Sequence, residues 1–306
     1  MASDPSLPPE NRIESLAELL KKHDYLDLAG KINHSKEIFP KHTGGYCDVY
    51  TGHLVADPSY KVAIKVFRGT DKPGDIKTIE RWLNREAVVW HKLKHENVLS
   101  FLGLAPDLGR FEACPALISP YCTNGTVGDY VQNSNPPIET RLSLARVARG
   151  MEYLHEQDVI HGDLKPSNVL MSDENKPLVC DFGRSSILYT RGFTTKFAGS
   201  TRYQAPELFP PENNVTITPN KCSDICAFGL TAFEVWTGKP PFSEIIYDHS
   251  VMMHITGGNT LQLPSPPPGM ADRLWPILSP CFSITPENRP TIQELVQSLE
   301  SCVQQS

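Results

Sequence analysis

The sequence predicts an α+β protein of two lobes, a small lobe rich in β-strands with one helix and a larger lobe that is mainly helical. Residues 38–119 contain short apolar runs of the kind that form strands, interrupted by a single helical stretch. Beyond Asn124 the apolar residues recur with the spacing of amphipathic helices. At 306 residues the chain has the length of two modest domains or of one bilobal unit, and length alone leaves both open.

The first 37 residues form an extension ahead of the small lobe. They begin with a polar, proline-rich stretch and then show a helical pattern between Asn11 and His23. The apolar residues of this pattern fall on one face of a helix: Ile13, Leu16, Ala17 and Leu20. We expect this short amphipathic helix to dock on the domain behind it, and binding to a partner protein is the alternative.

The two lobes are predicted from their separate periodicities. In the small lobe the helix is expected at Ile76–Leu93, and the strand-like runs are Cys47–Tyr50, Lys61–Phe67 and Ala116–Ser119. In the large lobe the amphipathic helices are expected at Arg141–His155, Ser223–Trp236 and Thr291–Cys302.

Composition indicates a soluble protein that stays inside the cell. Hydrophobic residues make up 40% of the chain and charged residues 21%, and no run approaches the roughly 20 apolar residues of a membrane span. The amino terminus lacks the basic and apolar regions of a secretory signal, which favours the cytoplasm and leaves the nucleus open. A net charge of -6 with dispersed lysines and arginines argues against nucleic acid as a partner.

Cysteine spacing gives no sign of a disulfide scaffold or of a metal site. The chain has 8 cysteines and is too long to need disulfides for stability, so reduced thiols are expected. Cys222 and Cys226 lie four residues apart, but no second Cys/His pair at the spacing of a metal site lies nearby.

Several polar motifs carry the chemistry of phosphoryl transfer, which needs a clamp for a metal-bound nucleotide and a positioned hydroxyl. The stretch from His161 to Asn168 reads HGDLKPSN and places a carboxylate, an ammonium and a carboxamide in one short loop. Another carboxylate follows in the turn Asp181-Phe182-Gly183. Upstream, the strand-like run VAIK ends in Lys65, and Glu86 lies on the following helix where it could hold that lysine toward phosphates.

With these motifs and the later Ala205-Pro206-Glu207, the chain resembles the eukaryotic protein kinase family. That family shows, in order, a glycine-rich loop, V-A-I-K, H-R-D-L-x-x-x-N, D-F-G and A-P-E. A single short motif such as D-F-G is a weak signal, and it is the ordered set of motifs that identifies the family. The resemblance implies a bilobal protein kinase domain at residues 38–302, followed by a tail at 303–306. Within the domain, the small lobe is expected at 38–119, the hinge at 120–123 and the large lobe at 124–302.

The resemblance also implies a role for each motif residue, with ATP and Mg2+ as cofactors. Asp163 would accept or orient the proton of the attacking hydroxyl, and Asn168 and Asp181 would hold Mg2+. Lys65 would contact the phosphates and pair with Glu86. The implied ATP-binding residues are Gly44, Gly45, Val49, Ala63, Lys65, Ser119, Tyr121, Cys122 and Leu170. Among these, Ser119 would be the gatekeeper, Tyr121 and Cys122 would bind adenine through the hinge backbone, and Leu170 would pack beneath the adenine as its floor. The implied supporting residues of the large lobe are Glu207, Asp224 and Arg289.

Substrate class follows from Lys165, which serine/threonine kinases of the family place two residues after the catalytic aspartate. Protein serine and threonine hydroxyls are therefore the expected acceptors. The runs Asp48-Val49-Tyr50 and Ala227-Phe228-Gly229 resemble the tyrosine-kinase-like branch, particularly its fungal members. A small-molecule kinase of similar fold is a weaker possibility, since the Ala-Pro-Glu segment anchors the loop on which a protein substrate lies.

Two departures from the family pattern leave a second function open. The three glycine positions of the family's glycine-rich nucleotide-binding loop, called the nucleotide loop below, fall on His42, Gly44 and Cys47, so only the middle glycine is kept. In addition, Gly162 replaces the arginine that the family usually has in the H-R-D motif. Side chains in the nucleotide loop could hinder close approach of the backbone to phosphates. The alternative is therefore a pseudokinase that acts as a binding or scaffolding module.

Overall fold

A computed structural model describes residues 20–23, 26–34, 39–43, 47–68, 73–109, 115–134, 143–184, 186–187, 201–209, 218–257 and 273–304. The chain divides into two compact units, and the division falls between Tyr121 and Cys122. One unit is built on a β-sheet and the other on helices, which confirms the predicted α+β class.

The amino-terminal unit contains a six-stranded sheet and one long helix. Its strands are β1 (Ile32–Asn33), β2 (His42–Thr43), β3 (Cys47–Leu54), β4 (Lys61–Phe67), β5 (Gly103–Ala105) and β6 (Ala116–Pro120). The sheet order is β1-β3-β4-β6-β5, with β2 paired to β3, and the pairings between these strands are antiparallel. The helix is α1 (Pro73–Trp90).

Alternation along the strands places an apolar cluster on one face of this sheet. Val62 and Ile64 on β4 are 0% and 3% exposed, and they pack with Ile118 on β6 and Ile32 on β1. Because side chains alternate between the two faces of a strand, Ala63 and Lys65 must lie on the opposite face. The V-A-I-K run is therefore a half-buried strand that separates a core face from a polar face.

Residues 26–33, which we call the strap, form hydrogen bonds near both edges of the sheet, at β5 and at β3. Leu28 N donates to Leu104 O on β5 at 2.8 Å, and Val55 N, at the end of β3, donates to Lys31 O at 2.9 Å. Four strands, β3, β4, β6 and β5, lie between these two contacts. In a flat sheet, segments outside β3 and outside β5 would lie ~24 Å apart, whereas the three residues from Leu28 to Lys31 span only ~10 Å. The sheet is therefore strongly curled, and the strap ties its two sides together.

Gly103 is expected to be the most sensitive position under the strap. Its φ is +151°, and a Cβ at this position would lie 2.3 Å from Leu26 O. We expect Gly103→Ala to lower the free energy of unfolding by about 3 kcal/mol, since backbone strain and overpacking add. The midpoint of urea unfolding, followed by tryptophan fluorescence, measures this loss.

Gly30→Ala is the matched control for this substitution. Gly30 also has a positive φ, +67°, but no atom lies within 4 Å of the added Cβ. It should therefore cost about 1 kcal/mol from backbone strain alone. Equal losses for the two variants would contradict close packing of Leu26 on Gly103.

The carboxy-terminal unit is mainly helical. Its helices are α2 (Val127–Ser134), α3 (Leu144–Glu156), α4 (Lys221–Thr237), α5 (Asp248–Thr256), α6 (Trp275–Leu278) and α7 (Ile292–Gln304). Two small antiparallel sheets pair β7 (Val159–Ile160) with β10 (Ser186–Ile187) and β8 (Val169–Met171) with β9 (Pro177–Val179). These short strands frame the loop that carries the HGDLKPSN motif.

Helix α4 is the central element of this unit. It is apolar on most of its surface, and nearly all of its residues from Ser223 to Trp236 are buried. Asn220 caps its start by a reciprocal pair of bonds with Ser223, and Gly238 ends it in a left-handed conformation with φ of 67°. Both ends are therefore fixed by the local sequence, which holds Asp224 in the first turn.

The sequence-based helices agree with the structure to within a few residues. The stretch predicted at Ile76–Leu93 is α1, and the one predicted at Ser223–Trp236 is α4. Of the helix predicted at Asn11–His23, residues 20–22 are helical and His23 is not, while residues 11–19 lie outside the described residues. Within the described ranges no helix is both long and apolar enough to cross a bilayer.

Candidate active site

A partly buried ion pair joins Lys65 to Glu86 within the amino-terminal unit. Lys65 Nζ lies 2.6 Å from Glu86 Oε1, and the glutamate side chain is only 1% exposed. Ile79, Leu83 and Ala87 bury one face of α1. Glu86 follows Leu83 by three residues and therefore lies on this face too. Packing of the helix holds the carboxylate against the lysine of β4.

The polar face of the sheet carries four of the predicted nucleotide-binding side chains. Val49 on β3 lies opposite Lys65 on β4, and Ala63 on β4 lies opposite Ser119 on β6. Residues directly opposite on antiparallel strands share a face, and so do residues two apart along a strand. All four side chains therefore lie on the face away from the apolar cluster.

The loop between β7 and β8 brings three of the predicted site residues together. Lys165 Nζ donates to Asp163 Oδ2 at 3.1 Å. Asn168 Nδ2 donates to the Asp163 backbone carbonyl at 2.8 Å and lies 3.4 Å from Asp163 Oδ2. The Asp163 side chain is 11% exposed, so the carboxylate is largely buried but still reaches solvent.

Asp181 follows a residue that is bonded to this loop. Cys180 N donates to Asn168 O at 3.0 Å, and the His161 ring Nε2 lies 3.0 Å from Cys180 O. Asp181 has a φ of 66°, a left-handed conformation that is uncommon for residues other than glycine. Such strained residues persist where their surroundings fix them, and they cluster at functional sites. Phe182, which is 0% exposed, anchors the turn.

Asp224 fixes the backbone at the start of the loop between β7 and β8. Its carboxylate accepts hydrogen bonds from the backbone amides of His161 and Gly162, each at 2.9 Å, and lies 3.0 Å from His155 Nε2. Asp224 is 1% exposed, which makes these bonds strong and costly to lose. Gly162 has a φ of 76°, so glycine relieves the strain that another residue would carry here.

The donor set at Asn168 and Asp181 suits a hard divalent cation. Because Asn168 Nδ2 is bonded to Asp163 O, its amide oxygen is the atom left to face a cation. A carboxylate and an amide oxygen are the kinds of ligand that Mg2+ prefers, with further positions filled by phosphate oxygens and water. Among the described residues no group of three or more His, Cys, Asp or Glu side chains could hold a metal by itself.

The predicted hinge residues are fixed separately in the two units. Tyr121 N donates to Lys61 O at 3.1 Å, and the Lys61 ammonium lies 4.2 Å from the centroid of the Tyr121 ring. In the carboxy-terminal unit Cys122 is buried. Leu170, the predicted adenine floor, lies half-buried on β8 and forms a bridge with Thr126.

Cys122 is expected to resist alkylation. Burial, with the charges of Asp173 and Glu174, raises the pKa of its thiol to about 11. At about pH 8 very little thiolate is present, so iodoacetamide should react with Cys122 more than about tenfold more slowly than with an unperturbed thiol. Peptide mass mapping over time, with the partly exposed Cys302 as internal comparison, measures the difference. Comparable rates at the two cysteines would contradict this assignment.

Further polar contacts support the segment around Ala205-Pro206-Glu207. Arg289 forms a bidentate pair with Glu207, as the predicted supporting pair requires, with both N–O distances 2.7 Å. The Tyr203 hydroxyl donates to Glu234. Burial raises the pKa of Tyr203 and also that of Glu234, so the phenol stays protonated as the donor.

Some predicted residues lie outside the described part of the chain, and some contacts were not predicted. Gly44 and Gly45 are outside it, while His42 on β2 lies opposite Val49. His155 was missed, although a polar residue on the otherwise apolar buried face of α3 was a usable signal. Arg202 was also missed, because its partners lie far along the chain and no local pattern indicates them.

Comparison with known proteins identifies the family. The family model described as "Protein kinase domain" matches residues 43–299. Human mitogen-activated protein kinase kinase kinase 13 is 30% identical over 84% of this chain and 24% of that protein. The RGS domain-containing serine/threonine-protein kinase A of Dictyostelium discoideum is 30% identical over 96% of this chain and 25% of that protein. The chain thus spans about a quarter of the length of these relatives. With most of its residues matched, the chain belongs to the protein kinase domain family.

Proposed function

We propose that this chain is a protein serine/threonine kinase, which transfers the γ-phosphate of ATP to hydroxyl groups of protein substrates. The observation that carries the proposal is the arrangement of Asp163, Lys165 and Asn168 in one braced loop. A carboxylate with an ammonium 3.1 Å away can position a hydroxyl and balance charge on a phosphoryl group. The names of the relatives, which are protein kinases, favour the same reaction.

Each residue has a distinct part in the proposed reaction. Asp163 orients the substrate hydroxyl and accepts its proton as the oxygen bonds to the γ-phosphorus and the bond to ADP breaks. Lys165 neutralises charge that develops on the transferring group. Lys65, oriented by Glu86, contacts the α and β phosphates.

The nucleotide and the metal ion complete the proposed site. Membership of the family implies ATP and a divalent metal ion in general. The ion is proposed to be Mg2+, held through Asn168 and Asp181, where it would shield the charge of the phosphates. Within the amino-terminal unit, the predicted ATP-binding residues Val49, Ala63 and Ser119 would contact the nucleotide from the face of the sheet that they share with Lys65.

The alternative of a pseudokinase scaffold is less favoured. Its support is the nucleotide loop, where His42 and Cys47 stand at positions usually held by glycine. Against it, the Lys65–Glu86 pair is formed at 2.6 Å, and the side chains proposed for proton and metal handling are all retained. A protein used only for binding has no chemical need for this complete set.

A direct transfer assay tests the proposal. The purified chain is incubated with Mg2+ and labelled ATP, with a generic basic protein or a panel of metabolites, beside the Lys65→Met and Asp181→Asn variants. We expect label on serine and threonine of the protein, lost in both variants. Label on a metabolite alone would favour a small-molecule kinase, and no transfer by the folded protein would favour a scaffold.

A further inference from the structure

The guanidinium of Arg202 connects the segment before Ala205 to the loop at 241–248. Its Nε donates to Asp248 Oδ1 at 2.9 Å. The other four bonds go to backbone carbonyls: Pro241 at 3.1 Å, Phe242 at 2.7 Å, Ile245 at 2.7 Å and Ile246 at 3.2 Å. Arginine has five N–H donors in a rigid fork, and here each pairs with an acceptor.

The loop that Arg202 holds has a strained backbone. Phe242 has a φ of 56°, which is unusual for a bulky residue, and its side chain is 1% exposed. Because strain of this kind persists only where contacts impose it, the bond from Arg202 to Phe242 O helps to fix the loop. The Arg202 side chain is 16% exposed; its bonds to Pro241, Phe242 and Ile245 are partly buried, whereas those to Asp248 and Ile246 are exposed to solvent.

The residues that follow Arg202 lie beside the catalytic loop. Tyr203 and Gln204 line the same cavity as Gly162, Asp163 and Leu164. Gln204 is 7% exposed, and within the described part of the chain its Oε1 has no hydrogen-bond partner. The cavity that contains the proposed base is therefore lined in part by the two residues that directly follow Arg202.

We propose that Arg202 is a positioning residue for the protein acceptor. By fixing the backbone at residues 201–204 on the loop at 241–248, it sets the wall beside Asp163 against which the acceptor hydroxyl is presented. The inference rests on the proposed kinase function and names a residue outside its motifs. Displacement of such a wall by about 1 Å can cost ~10²-fold in rate, since transfer depends on alignment.

Arg202→Lys and Arg202→Ala test this role with Arg149→Lys as matched control. Lysine keeps the charge but cannot form the fork of five bonds. Arg149 is paired to Glu300 in the same unit, but its side chain is 47% exposed, and the change there should alter each constant less than twofold. The assay measures KM and kcat for a protein acceptor, KM for ATP, and hydrolysis of ATP by water.

We expect both Arg202 variants to lose at least tenfold in kcat/KM for the protein acceptor. KM for ATP and the rate of hydrolysis by water should stay within twofold of the parent. Partial rescue of Arg202→Ala by added guanidinium ion would support the role further. A parallel fall in acceptor transfer and in hydrolysis would contradict it, since that is the result of general loosening of the unit.

Hydrogen exchange provides a readout that needs no activity. In Arg202→Ala the amides of residues 201–209 and 241–248 should exchange at least tenfold faster, while those in the centre of α4 stay unchanged. Unchanged exchange in these two segments would overturn the positioning role even if activity falls. A parent protein that transfers no phosphate would overturn the proposed function, whereas the exchange result would still decide whether Arg202 fixes these segments.

Discussion

Replacing Asp163 with asparagine is expected to lower kcat for phosphoryl transfer by roughly 10²–10⁴-fold, the usual contribution of a positioned base. Asparagine has nearly the same shape, and the bond from Asn168 Nδ2 to the backbone carbonyl at position 163 does not depend on the side chain. The fold and KM for ATP should therefore be retained. Steady-state rates at saturating ATP and acceptor, with thermal unfolding of the same samples, measure both expectations.

Asp158→Asn is the control for this change. Asp158 lies in the same unit and pairs with Lys221 at 3.0 Å, but both side chains are 43% exposed. Exposed pairs of this kind contribute at most about 1 kcal/mol to stability, and this one has no part in the proposed reaction. A variant at position 163 that transfers phosphate as fast as the parent would show that another group takes the proton.

Replacing Arg289 with alanine is expected to destabilise the carboxy-terminal unit by about 3–5 kcal/mol. The Arg289 side chain is 0% exposed and donates to both carboxylate oxygens of Glu207 as well as to Ser283 O and Cys222 O. Its removal leaves the partly buried carboxylate of Glu207 and the carbonyls of Ser283 and Cys222 without this donor. Urea unfolding followed by far-ultraviolet circular dichroism measures the loss.

Two further variants separate the pair from general packing. Arg289→Lys keeps the charge but cannot pair with both oxygens at once, so an intermediate loss is expected. Arg149→Ala removes an exposed pair with Glu300 and should cost less than about 1 kcal/mol. If the alanine variants at 289 and 149 lose similar stability, Arg289 is not a buried anchor.

The sequence was most informative where a motif is local. The apolar run at Lys61–Phe67 predicted a strand that carries Lys65, and the structure has β4 there. In the same way Asp163, Lys165 and Asn168 lie within six residues, so their proximity in the structure follows from the chain itself. Periodicity also located the central helix, because its apolar residues continue over several turns.

Contacts between distant segments could not be predicted in this way. Gly30 N donates to Asp107 Oδ2 across 77 residues, and neither residue lies in a recognisable pattern. The two-residue strand β1 and the three-residue strand β5 are too short to show a period. The partners of Arg202 are mostly backbone carbonyls, which every residue has, so the side-chain sequence does not reveal them.

The strap has a consequence for self-association. Outer strands of a sheet present unpaired amide and carbonyl groups that can recruit a strand from another molecule. Here Leu104 O on β5 and the end of β3 at Leu54 and Val55 are already bonded by residues of the strap. The match to the family begins at residue 43, after this segment. We therefore expect the residues ahead of the family domain to reduce pairing of its sheet with a second molecule, because they occupy hydrogen-bonding groups on both β3 and β5.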